Sequence, residues 1–347
     1  MITSHGTSVV HYNYQKQKDM GNKQYAPVYI PTLNRYEHFK RCLESLERCT
    51  DADKTDVYVG LDYPPSEKYV EGWKKIDEYL YNKEKNHGFK NLYVRRRDHN
   101  CGVGNANSNG ALLLKEIRQV SDRYIMTEDD NEFSPDFLTY CNWGLEYFKD
   151  DDRILAICGY NLVETPNLKN NIYIYNNAYC AWGVALWVER RDRIASMYDI
   201  DVIKNVVDSF PLSIIFNNRV MLAASLLYMI KSKHILGDTV LQALPMDKKW
   251  CVFPKLSMVR NWGHDGSGLH GGNQESFEKH INTPIDEKVV FEPIINGDLF
   301  SPEIELAYKM KYGKKTLVSR FRAIGRFLIY KVTGLIVVLE RPTWLKK

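Results

Sequence analysis

Residues 123–133 read RYIMTEDDNEF, a short apolar and aromatic run followed by three consecutive acids, Glu128, Asp129 and Asp130. Crowded carboxylates repel and raise one another's pKa, so the arrangement costs stability unless a cation occupies it. One reading is a simple turn, because Asp and Asn populate turns for local hydrogen-bonding reasons. The other is a strand that delivers a cation site at its carboxyl end. The flanking sequence separates the two readings and with them the fold.

Upstream, strand-like and helix-like segments alternate. "APVYIP" (26–31), "DVYVGLD" (56–62) and "NLYVRRR" (91–97) are short runs of strand-forming residues bounded by breakers. Between the first two, Tyr36, Phe39, Leu43 and Leu46 fall at helical spacing in "RYEHFKRCLESLERC". "EGWKKIDEYLYNK" and Ala111 to Ile117 also read as helix, and "DRYIMTEDD" becomes the fourth strand. Downstream, Ser134 is a suitable N-cap, Pro135 suits the first helical position, and Asp136 suits the positive end of the helix dipole. "ILAICGY" (154–160) is a fifth strand, after which the pattern loosens until a helical stretch near 212–233. The alternation predicts an α/β fold, a Rossmann-like, mostly parallel, doubly wound sheet. In such sheets ligands bind beyond the carboxyl ends of the strands, where Asp62 and the three acids lie.

The composition bounds the answer. At 347 residues, 44% hydrophobic and 26% charged, the chain can bury a substantial core and is not disordered. A net charge of +4 argues against a nucleic-acid partner. The seven Cys (42, 49, 101, 141, 158, 180 and 251) show no metal-ligand spacing, and the start of the chain has no uninterrupted apolar run, which together predict a cytoplasmic protein. No repeat or linker divides the chain. The expected organisation is a loose arm (1–25), two halves of one catalytic domain (26–130 and 131–300), and a basic helical tail (301–347).

A hard divalent cation, Mn²⁺ or Mg²⁺, takes oxygen ligands and commonly uses one or two carboxylates, leaving its other positions to water and phosphates. An acidic cluster at the carboxyl edge of a sheet suits that need. The blocks around it carry a resemblance. "VYIPTLNRYEHFKRCLESL" resembles the opening strand and helix of family 2 glycosyltransferases of the GT-A fold, and "GLDYPPSE" stands where that family has its Asp-bearing second strand end. "IMTEDDNEFSPDFLTYCNWGLEYFKDDDRILAICGYN" is similar to the E-D-D region of the N-acetylglucosaminyltransferase I group and of bacterial polysaccharide transferases. "CAWGVALW" and "NWGHDGSGLH" resemble further segments of that bacterial group, in the same order, from about residue 27 to 272.

The resemblance implies a metal-dependent, inverting glycosyltransferase that takes a UDP-sugar, hexosyl or N-acetylhexosaminyl, to a lipid-linked glycan acceptor in surface polysaccharide synthesis. It places Thr32, Arg35 and Asp62 on the uridine, Asn105 beside the donor, Glu128 and Asp129 toward ribose and sugar, and Asp130 on the metal. In the family a general base lies about 15 to 20 residues before a Pro-x-x-Ser strand. Asp238 stands there, with Asp247 as the alternative; a helix N-cap is the competing reading of Asp238, in Gly-Asp-Thr before "VLQAL".

The glycine-rich "HDGSGLHGG" (264–272) suits a loop closing over a diphosphate, with His264 or His270 as a candidate metal ligand; a plain surface loop is the alternative. Trp182 is a candidate to stack on a sugar, whereas Trp187 sits among apolar neighbours and reads equally as core. From Lys314 onward nine Lys or Arg face the single Glu340. Leu317, Phe321, Ile324, Phe327 and Leu328 share one helical face there, which predicts either a helix resting on the inner face of an anionic membrane or one packed on its own domain. Two other functions compete. A sugar nucleotidyltransferase would carry a glycine-rich loop where "PTLNRYEH" stands, and a non-catalytic carbohydrate binder would keep the same pocket.

Overall fold

The computed structural model describes residues 24–337 except 104–105, 166, 177, 196–197, 217–218, 234, 236–249, 269–273, 289 and 313–316. Ten strands are described: β1 Val28–Thr32, β2 Asp56–Leu61, β3 Asn91–Arg96, β4 Arg123–Met126, β5 Asn131–Phe133, β6 Ile154–Cys158, β7 Ile172–Tyr175, β8 Val184–Trp187, β9 Trp250–Pro254 and β10 Val259–Asn261. The α-helices are α1 Tyr36–Glu47, α2 Val70–Lys83, α3 Asn109–Ile117, α4 Phe137–Tyr147, α5 Val188–Ala195, α6 Ile200–Ser209, α7 Arg219–Ser232, α8 Gln274–Ile281, α9 Pro302–Tyr312 and α10 Leu317–Thr333.

Eight strands form one sheet in the order β3-β2-β1-β4-β8-β6-β9-β7. The pairs β2–β3, β1–β2, β1–β4 and β6–β9 are parallel, while β8 runs against β4 and β6, and β7 runs against β9. The expected mostly parallel α/β sheet is therefore present, with two reversed strands that the sequence pattern does not mark. β8 is the four-residue run VALW, buried at every position, so it has no alternation to reveal it. Strands from 26–130 and from 131–300 share this sheet without interruption.

Burial on both faces explains the composition of β1, whose Val28, Tyr29 and Ile30 are all buried. α1 covers one side with Phe39, Cys42, Leu43 and Leu46; of the stripe read from the sequence Phe39, Leu43 and Leu46 are buried and Tyr36 is half-buried, while Cys42 joins them at i+3 from Phe39. A second, two-stranded antiparallel sheet joins β5 to β10 and pairs Asn131 with Asn261. It begins one residue after the acids and ties them to a segment far along the chain.

The start of α4 departs from expectation. The helix begins at Phe137, with Asp136 rather than Ser134 at the cap position and no side-chain cap hydrogen bond. Ser134 instead donates its hydroxyl to Asp136 Oδ1, while its carbonyl accepts the Phe137 N–H at 3.1 Å. Asp136 is fully buried, its Oδ2 has no hydrogen-bond partner among the described residues, and burial pushes its carboxyl up to about 6. A carboxyl raised on folding binds its proton more tightly in the native state. Its contribution is thus largest below the unfolded pKa and is lost as pH rises through about 6. The helix N-terminus offsets part of the cost of ionisation. The wild type is therefore expected to lose about 2 kcal/mol of stability between pH 4 and 6.5 relative to Asp136→Asn. Urea unfolding of both proteins across that range measures the difference, and parallel curves would refute it.

A separate helical cluster packs α6, α7 and α10 together through Ile203, Val207, Val220, Leu226, Leu227 and Phe327. The tail helix thus packs on its own chain, and its buried stripe differs from the predicted one. Ala323, Phe327 and Tyr330 face inward, whereas Leu317 and Phe321 are 73% and 70% exposed. On this face the Tyr330 hydroxyl donates to Asp208 Oδ1 at 2.6 Å and Lys331 donates to the Asp208 carbonyl at 2.6 Å. No helix among the described residues is long and apolar enough to cross a membrane.

Candidate functional site

The acids following β4 form a turn, closed by the Asn131 N–H on the Glu128 carbonyl at 3.4 Å. The turn reading of TEDDNE is met, and within the turn two carboxylates gather about a single side-chain cation. That cation is Arg35, which immediately precedes α1. Its Nη2 donates to Asp129 Oδ1 and to Asp130 Oδ2, the latter at 2.8 Å. Thr32, the last residue of β1, donates its hydroxyl to Asp129 Oδ2 at 2.8 Å. Asn261, at the end of β10, donates to Asp130 Oδ1 at 2.9 Å and to Asn131 Oδ1 at 2.9 Å. The Trp262 N–H donates to the Asp130 carbonyl at 2.8 Å.

Asp129 and Asp130 are each 6% exposed. Burial raises the Asp129 carboxyl, with Arg35 pulling it down and Asp130 pushing it up. Burial opposes the Arg35 charge too, but the attraction of Asp129 and Asp130 prevails and holds the guanidinium firmly protonated. Arg35 Nη1 is buried and has no hydrogen-bond partner among the described residues.

The loop after β10 lies directly on this pair. A Cβ on Gly263 would overlap Asp130 Oδ2 and stand 2.7 Å from its Cγ and 3.4 Å from Arg35 Nη1, so only glycine fits there without a shift. His38 of α1 holds the loop, with Nε2 3.1 Å from Asp265 and 3.2 Å from the Trp262 carbonyl. Arg41 stacks on the Trp262 ring at 3.9 Å, and the Trp262 indole N–H donates to Glu132 at 2.9 Å.

Asp62 has a different environment. Its carboxylate accepts from the N–H groups of Tyr63 (2.9 Å), Cys101 (2.8 Å) and Gly102 (3.0 Å), and from Asn100 Nδ2 at 3.3 Å. It anchors the loop that follows β3, where Gly102 takes φ +64°. Asn109, the first residue of α3, completes this corner by donating to the Gly60 carbonyl at 2.6 Å and accepting from Arg97 at 3.0 Å.

Trp182 is half-buried in a ring cluster with Tyr160, His264 and His280 at centroid distances of 4.7, 5.4 and 5.0 Å. His264 and His280 stack at 4.1 Å, and the Tyr160 hydroxyl is 3.1 Å from His280 Nδ1. Burial, with His264, Lys279 and Lys311 adding to it, pushes His280 down to about 4, so it is neutral at pH 7. Trp187 is core, 7% exposed under the Arg190 guanidinium.

Thr32, Arg35, Asp129 and Asp130 are thus brought into one cluster. Asp62 and the half-buried Glu128 lie at neighbouring strand ends of the same sheet edge. Asn105, Asp238, Asp247 and His270 fall outside the described residues. Sequence reasoning did not single out Asn261, Gly263, Asn109 or His280. Asn261 and Gly263 flank the tryptophan of the "NWGHDG" block, but nothing local says that the block returns to Asp130.

The donor set suits a hard divalent cation in kind, since both groups offer carboxylate oxygens and already enclose one positive charge. Among the described residues, no three His, Cys, Asp or Glu side chains gather in a metal-holding arrangement. Any such ion would use Asp129 and Asp130 and complete its shell with water or ligand oxygens.

No family model and no curated protein matches the sequence. Among solved structures, the chain is similar to TarS of S. aureus at 20% identity, over 42% of this chain and 23% of that one, with a TM-score of 0.27. It is similar at 15% identity to the mannosyltransferase PcManGT of Pyrobaculum calidifontis in complex with GDP-Man and Mn²⁺, over 51% of this chain and 50% of that one, TM-score 0.32. A glucose-1-phosphate thymidylyltransferase assigned to Bacillus anthracis, in complex with a sucrose, matches at 14% identity over 79% of this chain and 98% of that one, TM-score 0.34. The chain therefore spans half or less of the length of the first two proteins.

Proposed function

We propose that this protein is a glycosyltransferase that moves a sugar from a nucleoside-diphosphate sugar, a UDP-sugar, to a glycan hydroxyl. One observation carries the reading. The order β3-β2-β1-β4 reverses direction of growth at β1, and Thr32, Arg35, Asp129 and Asp130 cluster at the carboxyl ends of β1 and β4. That crevice is where doubly wound sheets bind nucleotides. Asp130, with Asp129 beside it, would hold a Mn²⁺ or Mg²⁺ ion there, and such an ion would supply positive charge against the diphosphate leaving group.

The chain's own residues do the remaining work. Thr32 and Asn261 fix the two carboxylates, the loop from Gly263 to Gly268 covers them, and Asp62 holds the loop after β3 in place. Exclusion of water under that cover protects the donor from hydrolysis. Asp238, with Asp247 as the alternative, is the proposed general base that takes the acceptor's proton in an inverting displacement. Trp182, in its ring cluster, offers an aromatic surface to a sugar. The acceptor is proposed to be lipid-linked, and the protein peripheral on the inner face of the membrane. α10 supports this by exposing Leu317, Val318 and Phe321 beside Arg322 while its other face packs inward.

Titration calorimetry with UDP-GlcNAc, UDP-galactose and UDP-glucose, with Mn²⁺ and with EDTA, tests the donor class. Metal-dependent binding of one of them, with UDP released on adding a glycan acceptor, is the expected result. Release of pyrophosphate from a nucleoside triphosphate and a sugar phosphate would instead establish a nucleotidyltransferase. Binding without UDP release would establish a carbohydrate or nucleotide-sugar binder.

A further inference from the structure

Every carboxylate oxygen of the acid pair already has a protein donor. Thr32 and Arg35 take the two oxygens of Asp129, and Arg35 and Asn261 take those of Asp130. With both carboxylates ionised, two negative charges meet one positive charge and the cluster holds one residual negative charge in a buried site. Among the described residues, Arg35 is also the one of these donors with a buried N–H that has no hydrogen-bond partner, at Nη1. The same side chain lines a recess of about 410 Å³, together with Lys68 and Lys75 but also Glu37 and Glu71, of which Glu71 pairs with Lys75 at 2.8 Å. Arg35 therefore stands between the acids on one side and a recess of mixed charge on the other, to which it adds a positive charge.

We propose that Arg35 is a built-in counter-ion that a divalent cation displaces from Asp130 and Asp129, and that the freed guanidinium then serves the donor's diphosphate. The second half rests on the nucleotide-sugar reading above; the first half does not. The charge count favours the exchange. A divalent ion neutralises both carboxylates where Arg35 neutralises one, and the released guanidinium, with Lys68 nearby in the recess, is then available to an anion. Guanidinium suits this second task, because its planar donors match phosphate oxygens. Until both ions arrive the acids remain paired, which keeps a buried carboxylate pair from standing without a cation. The device couples the two ligands, since the metal releases the group that the diphosphate uses and the diphosphate holds Arg35 away from the acids.

The test uses the full chain and Mn²⁺ alone as probe, by calorimetric titration and by the electron paramagnetic resonance of free Mn²⁺. Without nucleotide, Arg35→Gln is expected to bind Mn²⁺ about tenfold more tightly than the wild type. Its Tm is expected to rise steeply with Mn²⁺, while the wild-type Tm changes little. Arg35→Lys, which keeps one charge but not the two-sided reach, is expected to fall between them, and it carries the test should Arg35→Gln fail to fold. Equal or weaker Mn²⁺ affinity in the folded variants would overturn the proposal. Adding UDP should tighten Mn²⁺ binding to the wild type and not to Arg35→Gln. Competition by Arg35 without any effect of UDP would leave the counter-ion standing and remove the nucleotide reading.

Discussion

Arg190→Met is expected to lower the stability of the fold by about 3 kcal/mol, seen as a reduced urea midpoint with an unchanged slope. Arg190 lies in α5 and is 6% exposed, yet no carboxylate among the described residues forms an ion pair with it. Its Nη1 donates to the Ile154 carbonyl at 2.6 Å, and its Nη2 to the carbonyls of Phe148 (3.1 Å) and Lys149 (2.5 Å). These acceptors sit where α4 ends and β6 begins, so one side chain closes a helix C-terminus that has no basic residue of its own. The guanidinium also lies 3.6 Å over the Trp187 ring. Methionine would preserve the packing volume on Trp187 but leave the Ile154 and Lys149 carbonyls without this donor; Phe148 retains the Asp151 N–H at 3.1 Å. Each buried acceptor stripped of its partner costs about 1–3 kcal/mol, and relief from burying a charge offsets part of the sum. Arg190→Lys, with one donor head in place of the fork, should recover less than half of the loss. A change below about 0.5 kcal/mol for Arg190→Met would mean that water or backbone satisfies these carbonyls.

What the sequence made legible follows from how local each feature is. The first four strands and α1 to α3 each carry their own signal, an apolar run ended by a breaker or a stripe at helical spacing, and they form where that signal lies. The acids at the end of β4 could be placed because a parallel sheet puts strand ends on one edge. The reversed β8 could not, being four apolar residues between a glycine and a helix with no period to show direction. The same holds for the β5–β10 pair, three residues each, joined across a long stretch of chain. Asn261 and Gly263 thus escaped notice although they touch Asp130, because their role depends on a contact that no local pattern encodes. On α10, more than one face carries apolar residues; the face packed on α6 and α7 is that of Ala323, Phe327 and Tyr330, which the pattern did not favour, and the Tyr330 and Lys331 bonds to Asp208 accompany it.

The contact between Gly263 and Asp130 leads to the second large effect. Gly263→Ala is expected to lower kcat/KM for the proposed sugar transfer about 100-fold while costing no more than about 1–3 kcal/mol of stability. The alanine Cβ would stand 2.7 Å from Asp130 Cγ, closer than carbon atoms pack, so one partner must yield. Asp130 cannot move freely, because Asn261 and Arg35 hold its two oxygens and Trp262 holds its carbonyl. The loop is tied as well, through the Gly263 N–H on Asn261 Oδ1 at 3.0 Å and through His38 on Asp265. Either the carboxylate turns away from the cation it shares with Asp129, or the loop lifts and admits water. Both outcomes displace charge by about an ångström at the point where the leaving group needs it, and neither requires the sheet to change. Gly266 provides the control within the same loop. It takes φ +89°, and an alanine Cβ there would meet nothing within 4 Å, so Gly266→Ala strains backbone without touching the acids. If the loop acts through its fit against Asp130, Gly266→Ala should retain most of the rate under conditions where Gly263→Ala does not. Steady-state rates on both variants, with circular dichroism melts to confirm folding, decide the matter. Equal losses in the two would assign the loop a role in motion rather than in fit, and a Gly263→Ala rate within about threefold of wild type would detach the loop from the site.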